Sequence, residues 1–246
     1  MHLAIQRSTP RIWRPIAAVI MVVGISTSFS AIASADVITI GSVLQAAHTA
    51  ITQETSAHVV FVAHSSSSST TEKIVADVGV TGGSETLSEG KADLAIRVTP
   101  SYAYLRGNPT GLTTLFGLPA AQAKKLGARW ESWKAGTKPY ANLKADVTMS
   151  SVTDLLPKVK GTRLSTKAAN GAKLYVLNWT TAATGSTPKL SHTLSLSATG
   201  ASLPIEATEA SSSGVKVKTE LSKWDEKFNV LAPPIASTVA SSKIAG

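Results

Sequence analysis

Histidine is the side chain best suited to metal binding or proton transfer, and four histidines lie beyond residue 35: His48, His58, His64 and His192. His58 and His64 share one face of a predicted strand, but about 20 Å of extended chain separates them, which is too far for one metal ion. His192 falls on the inward side of another predicted strand. Because no pair has the spacing of metal ligands, the sequence predicts structural or half-exposed histidines and no metal site.

Nucleophiles and paired carboxylates are also scarce. The chain has no cysteine, which excludes a thiol nucleophile, and it lacks the Gly-x-Ser-x-Gly pattern of a nucleophile elbow. Asp225 and Glu226 adjoin in a predicted turn, whereas Glu131 and Asp154 are isolated, so glycoside hydrolysis has little support. We therefore expect no enzyme activity and no cofactor. The remaining catalytic alternative is an extracellular hydrolase whose triad is assembled in space.

The N-terminal residues have the order of a secretory signal peptide. Three arginines precede an uncharged apolar run from Ile16 to Ile25, and small residues end in Ala33-Ser34-Ala35 before Asp36. The run is short for a bilayer, which takes about 20 apolar residues to cross. We expect a signal peptide at residues 1–35 and a soluble protein in a secreted or cell-envelope location. The alternative is an uncleaved N-terminal segment that anchors the protein.

The charge balance favours anionic partners such as lipid headgroups. The chain carries a net charge of +9, and removal of the three arginines of the signal segment would leave +6. A basic stretch surrounds a predicted hairpin and contains Lys158, Lys160, Arg163, Lys167 and Lys173. It is interpreted either as a solvated edge that resists strand pairing or as a surface that docks on an anionic membrane. Because no aromatic residues interleave with these charges, nucleic acid is not an expected partner.

Hydrophobic periodicity predicts strands on both sides of a helical middle section. Residues 42–51 place several apolar side chains on one helix face, with Ser42 as the expected N-cap. Two short helices are predicted within 110–126, on either side of Gly117-Leu-Pro119, and another at 146–156. The predicted strands cover 58–64, 73–81, 91–99, 102–107, 129–133, 172–181, 190–197, 203–208 and 215–221.

These elements predict an α+β fold in which a curved antiparallel sheet, a half-barrel, is covered by a few short helices. Most strands have one apolar face and one Ser/Thr/Lys face, as in a sheet with one solvated side. We expect one domain over residues 36–234 and a disordered tail at 235–246. Because short helices cover a long sheet incompletely, an apolar cavity between the two layers is expected.

The order of elements and three segments resemble the LolA-like superfamily, most closely its actinobacterial lipoproteins of the LppX/LprG type. The segments are residues 103–108 (AYLRGN), 128–133 (ARWESW) and 221–234, which ends in LAPP. The resemblance implies a half-barrel wrapped around helices, with a hydrophobic cavity that holds the acyl chains of lipids or lipoproteins. Those relatives carry a lipobox cysteine and this chain has none, so membrane tethering is not implied.

The function expected from these observations is that of an exported, monomeric, non-catalytic carrier of a lipid or other amphiphile. The alternative is an exported protein-interaction or sensor module with the same fold and no ligand cavity. Apolar strand faces and inward helix faces would line the cavity. The residues expected there are Val78, Leu94, Ile96, Leu115, Phe116, Leu155, Leu174, Val176, Leu194 and Leu196.

Overall fold

The structure is a computed structural model that describes residues 38–66, 69–169, 171–184 and 188–244. The predicted signal peptide lies outside these residues. The strands are β1 (Ser56–Ser65), β2 (Thr71–Gly79), β3 (Gly83–Glu89), β4 (Ala92–Val98), β5 (Tyr102–Gly107), β6 (Trp130–Lys134), β7 (Arg163–Ala169), β8 (Ala172–Thr181), β9 (Leu190–Ser197), β10 (Pro204–Ser211), β11 (Val215–Ser222) and β12 (Thr238–Ala240). The α-helices are α1 (Ile40–Gln53), α2 (Pro109–Thr114), α3 (Ala120–Leu126), α4 (Lys138–Asp146) and α5 (Met149–Thr153). Two 3-10 turns cover Ile235–Ser237 and Ser241–Lys243.

The twelve strands of the described chain form a single open sheet in the order β12-β6-β5-β4-β3-β2-β1-β11-β10-β9-β8-β7. Every neighbouring pair is antiparallel except β12 and β6, which run parallel. Pairing of β1 with β11 joins strands β1–β6 and β12 to strands β7–β11 and so makes one layer. The predicted α+β class with a large antiparallel sheet and a few short helices is confirmed.

All five helices of the described residues pack on one side of this sheet, which we call the inner face; the opposite side is the outer face. Three hydrophobic clusters join the layers. The first unites α2, α3 and α4 with β3 to β6, and the second unites α5 with β1 and β2. The third places Val43, Leu44 and Ala47 of α1 against β8, β9 and β10. Burial of these apolar faces is the main force holding the helices to the sheet.

The helix α1 begins one turn earlier than the sequence predicts, because Thr39 rather than Ser42 is its N-cap. The Thr39 hydroxyl accepts a hydrogen bond from the Ser42 amide at 3.1 Å, and the Ser42 hydroxyl accepts one from the Thr39 amide at 3.0 Å. This reciprocal pair satisfies two backbone donors that the helix itself cannot use. The cap therefore fixes where α1 enters the inner face.

The middle section contains one more helix than expected. Two helices, α2 and α3, lie on either side of Gly117-Leu-Pro119 as predicted, but the helix predicted at 146–156 is only the short α5. The additional helix α4 precedes it, with Pro139 in its first turn, where a missing amide hydrogen costs nothing. Val147 separates α4 from α5 with φ −119° and ψ 27°, outside the helical region.

Residues 235–244 form part of the fold, in contrast to the disordered tail expected at 235–246; residues 245 and 246 lie outside the described residues. Strand β12 pairs with the exposed edge of β6, with Thr238 opposite Trp130 and Ala240 opposite Ser132. Ile244 is 2% exposed and packs in the first cluster. Backbone pairing with the otherwise unpaired edge of β6 and burial of Ile244 in the first cluster together hold this Ala/Ser-rich segment on the sheet.

The two tryptophans of β6 lie on opposite faces of the sheet, as their spacing of three residues predicts. Trp133 packs on the inner face with its ring 6.0 Å from that of Phe116. Trp130 lies on the outer face between the guanidinium groups of Arg97 and Arg106, which are 4.9 and 4.8 Å from its ring. Both indoles are therefore buried although only one belongs to the core between the layers.

Candidate ligand-binding site

The residues predicted to line a cavity are distributed over all three clusters of the inner face. Leu94, Ile96 and Phe116 belong to the first cluster, and Leu115 packs against it. Val78 belongs to the second cluster, against which Leu155 packs, and Leu194 and Leu196 belong to the third. These eight residues have the orientation that the sequence analysis gave them, and their contact with a ligand stays a prediction.

Leu174 and Val176 lie on the outer face, not on the inner face where they were predicted. The neighbouring residue Leu177 is fully buried in the third cluster, so the alternation of β8 turns Leu174 and Val176 the other way. Strand β8 carries consecutive apolar residues, and its register with β9 places Leu177 opposite Leu194. The pairing with β9, rather than the pattern within β8, decides the inward residue.

Two neighbouring rows of side chains cross the inner face over β8, β9 and β10. The apolar row consists of Leu177, Leu194 and Ala207, which lie opposite one another in register beneath α1. The polar row lies two residues along each strand and consists of Trp179, His192 and Glu209. Two residues of a strand span roughly 7 Å, so the two rows are direct neighbours on the inner face.

The polar row is held together by stacking and hydrogen bonding. The rings of Trp179 and His192 are stacked, with centroids 4.8 Å apart and an interplanar angle of 5°. His192 Nε2 and the Thr181 hydroxyl are 2.9 Å apart. His192 Nδ1 lies 3.7 Å from Glu209 Oε2, which is too long for a hydrogen bond. The imidazole is thus fixed on its Nε2 side and on one ring face.

Burial disfavours the charged forms of both titratable members of the polar row. It raises the pKa of Glu209 to about 7 and lowers the pKa of His192. The two side chains are 19% and 11% exposed, so the site retains limited access to solvent. The Oε2 atom of Glu209 is buried and has no hydrogen-bond partner among the described residues. The polar row therefore contains a buried acceptor that could accept a hydrogen bond from a ligand.

A second buried carboxyl group lies on the inner face at Glu131 of β6, opposite Leu105. The residue is 4% exposed, and its Oε2 atom likewise has no partner among the described residues. Burial raises the pKa of Glu131 to about 7. From the sequence, Glu131 is only an isolated carboxylate. Its inward orientation follows from the pairing of β6 with β5, which places it opposite Leu105 of the first cluster.

The helices are too short to cover the inner face. Twelve strands about 4.8 Å apart and about seven residues long make a face of roughly 1,300 Å². The five described helices, laid end to end, are roughly 60 Å long and about 10 Å wide, so they cover about half of it. Phe61 and Val217 are buried apolar residues of the inner face that belong to none of the three clusters. Apolar inner surface thus extends beyond the clusters that the helices form.

An open depression of about 330 Å³ lies on the other side of the sheet, over β1 and β11. Lys218 stands at its edge and pairs with Glu206 at 3.0 Å and with Glu220 at 2.7 Å. Because it faces away from the helices, this depression is not the cavity that the sequence predicts. Its lining residues are Val60, Val62, His64, Lys216, Val217, Lys218 and Glu220.

Across the described ranges, no three His, Cys, Asp or Glu side chains gather in a way that could hold a metal ion. None of the helices in the described part of the chain combines the length and apolar character needed to cross a membrane.

Sequence reasoning identified only part of the polar row. It placed His192 inward, and the structure agrees, but it did not single out Glu209. The available signal was alternation in β10, since Ala207 and Glu209 share a face if β10 is regular. Because Glu209 is charged, the alternation in β10 is also typical of a strand whose Glu209 side faces solvent. That Glu209 lies opposite His192 follows only from the register between β9 and β10, which the sequence does not specify.

No protein-family model matches the chain, and no curated protein matches it. The lipoprotein LppX of Mycobacterium tuberculosis superposes with a TM-score of 0.47 and 16% identity, over 78% of this chain and 97% of LppX. LprF from Mycobacterium bovis superposes with a TM-score of 0.49 and 16% identity, over 79% of this chain and 96% of LprF. MucB of Pseudomonas aeruginosa, solved with MucA, gives a TM-score of 0.34 and 14% identity, over 80% of this chain and 59% of that chain. These similarities concern the arrangement of strands and helices, not a ligand.

Proposed function

We propose that the protein is an exported, non-catalytic carrier that binds the acyl chains of a lipid or lipoprotein between its sheet and its helices. The proposal treats the chain after residue 35 as a single domain. The observation that supports it best is the position of the polar row directly beside the apolar row on the inner face. An amphiphile needs such a pair of surfaces within one molecular length.

Burial of the acyl chain is sufficient to drive binding without any catalytic group. Each buried methylene contributes about 0.8 kcal/mol, so a sixteen-carbon chain contributes roughly 13 kcal/mol before the costs of ordering are subtracted. Apolar inner surface outside the three clusters, at Phe61 and Val217, is consistent with such a use. A carrier also has to release its cargo, which a site built from dispersion contacts permits.

A tryptophan at Ala63 tests where the acyl chain binds. Ala63 is half-buried on the inner face of β1, opposite Val217, and its neighbour Val62 faces the depression on the outer face. We expect Ala63→Trp to weaken the binding of an uncharged polyene probe about tenfold or more, because the indole fills the space beside the polar row. Val62→Trp adds the same side chain to the same strand and should leave probe binding unchanged. Fluorescence titration measures both.

Two results would contradict this location of the site. Equal losses in Ala63→Trp and Val62→Trp would mean that the probe does not bind the inner face. An Ala63→Trp variant that binds the probe as wild type would have the same meaning. Thermal unfolding followed by circular dichroism checks that each variant folds, and Ala63→Leu replaces the tryptophan variant if it does not.

The basic edge of the sheet is proposed to dock on an anionic membrane. Strand β7 is one of the two edge strands of the described sheet. Exposed Lys158 and Lys160 precede it, exposed Arg163 and Lys167 lie within it, and exposed Lys173 lies on β8. Clustered Lys and Arg each contribute about 1 kcal/mol to binding at a negative membrane surface. Such contact would bring the carrier to lipid that it can extract.

Charge removal at this edge is expected to weaken vesicle binding. The triple variant Lys160→Gln, Arg163→Gln, Lys167→Gln should sediment with anionic vesicles about a hundredfold more weakly than wild type at low salt. The matched control removes three exposed lysines elsewhere, with Lys73→Gln, Lys91→Gln and Lys216→Gln. Equal losses in the two triple variants would show that net charge, and not this edge, attracts the protein to the vesicle.

A further inference from the structure

We propose that the polar row binds the polar end of the cargo and that this end is an uncharged, hydroxyl-bearing group rather than a phosphate or a carboxylate. The inference rests on the proposed carrier function and adds the chemical class of the cargo to it. The residues that carry it are Trp179, His192 and Glu209, together with Thr181, which lies beside them at the end of β8.

A hydroxyl group matches the unused hydrogen-bonding atoms of the row. Glu209 Oε2 is buried and accepts no hydrogen bond from the described residues, so it needs a donor. The Thr181 hydroxyl can donate to His192 Nε2, which places the ring proton on Nδ1 as a second donor. A ligand hydroxyl near both atoms can accept from Nδ1 and donate to Glu209, across a gap of 3.7 Å that the two side chains do not close themselves.

The charges of the row disfavour an anionic headgroup. The structure records no lysine or arginine paired with Glu209, and His192 is its one ion-pair partner among the described residues. Burial lowers the pKa of His192, so that imidazole is a weak source of positive charge. A phosphate or carboxylate would lose its hydration without gaining a cationic partner, and it would be repelled by Glu209 whenever that side chain is ionised.

The neighbouring apolar row sets the orientation of the cargo. Leu177 and Leu194 lie beneath α1, and both are fully buried. The polar row, by contrast, retains some exposure at His192 and Glu209. An amphiphile would therefore bind with its hydroxyl end at the partly open polar row and its chain directed along the inner face. Trp179 provides a flat ring that keeps His192 in place.

Three lipids with identical acyl chains test the inference on the exported full-length protein. They are dioleoylglycerol, dioleoyl phosphatidate and a dioleoyl lipid with a trimethylammonium headgroup. We expect dioleoylglycerol to bind about tenfold more tightly than either charged lipid at neutral pH, measured by displacement of the uncharged polyene probe. Equal affinities, or preference for a charged lipid, would overturn the inference.

Substitution of Glu209 assigns the preference to the polar row. Glu209→Leu removes the acceptor and should weaken dioleoylglycerol binding about tenfold, a larger loss than the variant shows for the uncharged probe, which has no hydroxyl to donate. Glu206→Leu is the matched control, because Glu206 lies on the same strand and pairs with Lys218 instead. Thr181→Val, at an exposed position, should weaken dioleoylglycerol binding severalfold by releasing His192 Nε2. Glu209→Leu and Thr181→Val variants that both bind dioleoylglycerol as wild type would refute the role of the row.

Failure of this inference is distinguishable from failure of the proposed function. If neither the polyene probe nor any of the three lipids binds the folded protein, the carrier function itself is wrong. If the probe and all three lipids bind with equal affinity, the protein is a carrier and only the assignment of the headgroup is wrong.

Discussion

Gly111→Ala is expected to lower the free energy of unfolding by about 3 kcal/mol, because no space exists for a methyl group between α2 and β4. An ideal Cβ at Gly111 would lie 2.2 Å from the carbonyl oxygen of Asp93 and 2.8 Å from its amide nitrogen. Both are backbone atoms of a strand within the sheet, so they cannot move aside as a flexible side chain would. The variant must instead displace α2, which belongs to the first hydrophobic cluster through Leu112.

Gly41→Ala provides the matched control, since Gly41 is also a helical glycine. The nearest atom to its ideal Cβ is the Thr39 hydroxyl at 3.8 Å, an ordinary contact distance. Alanine has the higher helix propensity, so this variant should raise the free energy of unfolding by up to about 1 kcal/mol. Urea unfolding followed by circular dichroism measures both. A Gly111→Ala protein as stable as wild type would mean that α2 does not lie against Asp93 as described.

Glu131→Gln is expected to stabilise the protein at alkaline pH and to have little effect at acid pH. Burial raises the pKa of Glu131 from 4.5 to about 7. A raised carboxyl pKa means that stability is fully present below the unfolded pKa and is lost as the pH rises through the folded pKa. The wild-type protein should therefore lose stability between about pH 4.5 and pH 7. Glutamine stays neutral, so the variant avoids this loss.

The size of the effect follows from the displacement of the pKa. A pKa difference of one between the folded and unfolded states corresponds to about 1.4 kcal/mol. The free energy of unfolding of Glu131→Gln, relative to wild type, should therefore be higher at pH 8 than at pH 4.5 by at most about 3 kcal/mol. Unfolding in urea at both pH values measures it, and Glu226→Gln at an exposed position is the control. A gain that is the same at both pH values would show that Glu131 is not titrating in a buried site.

Local hydrophobic patterns correctly predicted those strands and helices in which the residues of the element alone determine which face is buried. Strands β4, β9 and β11 alternate cleanly between apolar and polar residues, and the inward residues Leu94 and Leu194 follow directly from that alternation. The helix α1 was likewise evident from its apolar period. In these segments one face is buried and the other solvated, so the sequence alone contains the information that fixes the face.

Elements that depend on distant partners were missed or misplaced. Strand β12 has three residues, and only its pairing with β6 makes it a strand. In β8 the apolar residues Leu174, Val176 and Leu177 are too close together for alternation to identify the inner face, and β9 decides it. The polar row was missed for the same reason: Glu209 lies opposite His192 only because of the register between β9 and β10.

The measurement that tests the carrier function most directly is native mass spectrometry of the protein exported from its host, before and after extraction with organic solvent. We expect adducts of lipid mass that disappear on extraction and return when dioleoylglycerol is added. A bare protein mass in both spectra, with no uptake of added lipid, would contradict the account. The protein-interaction module would then be the better interpretation of the fold.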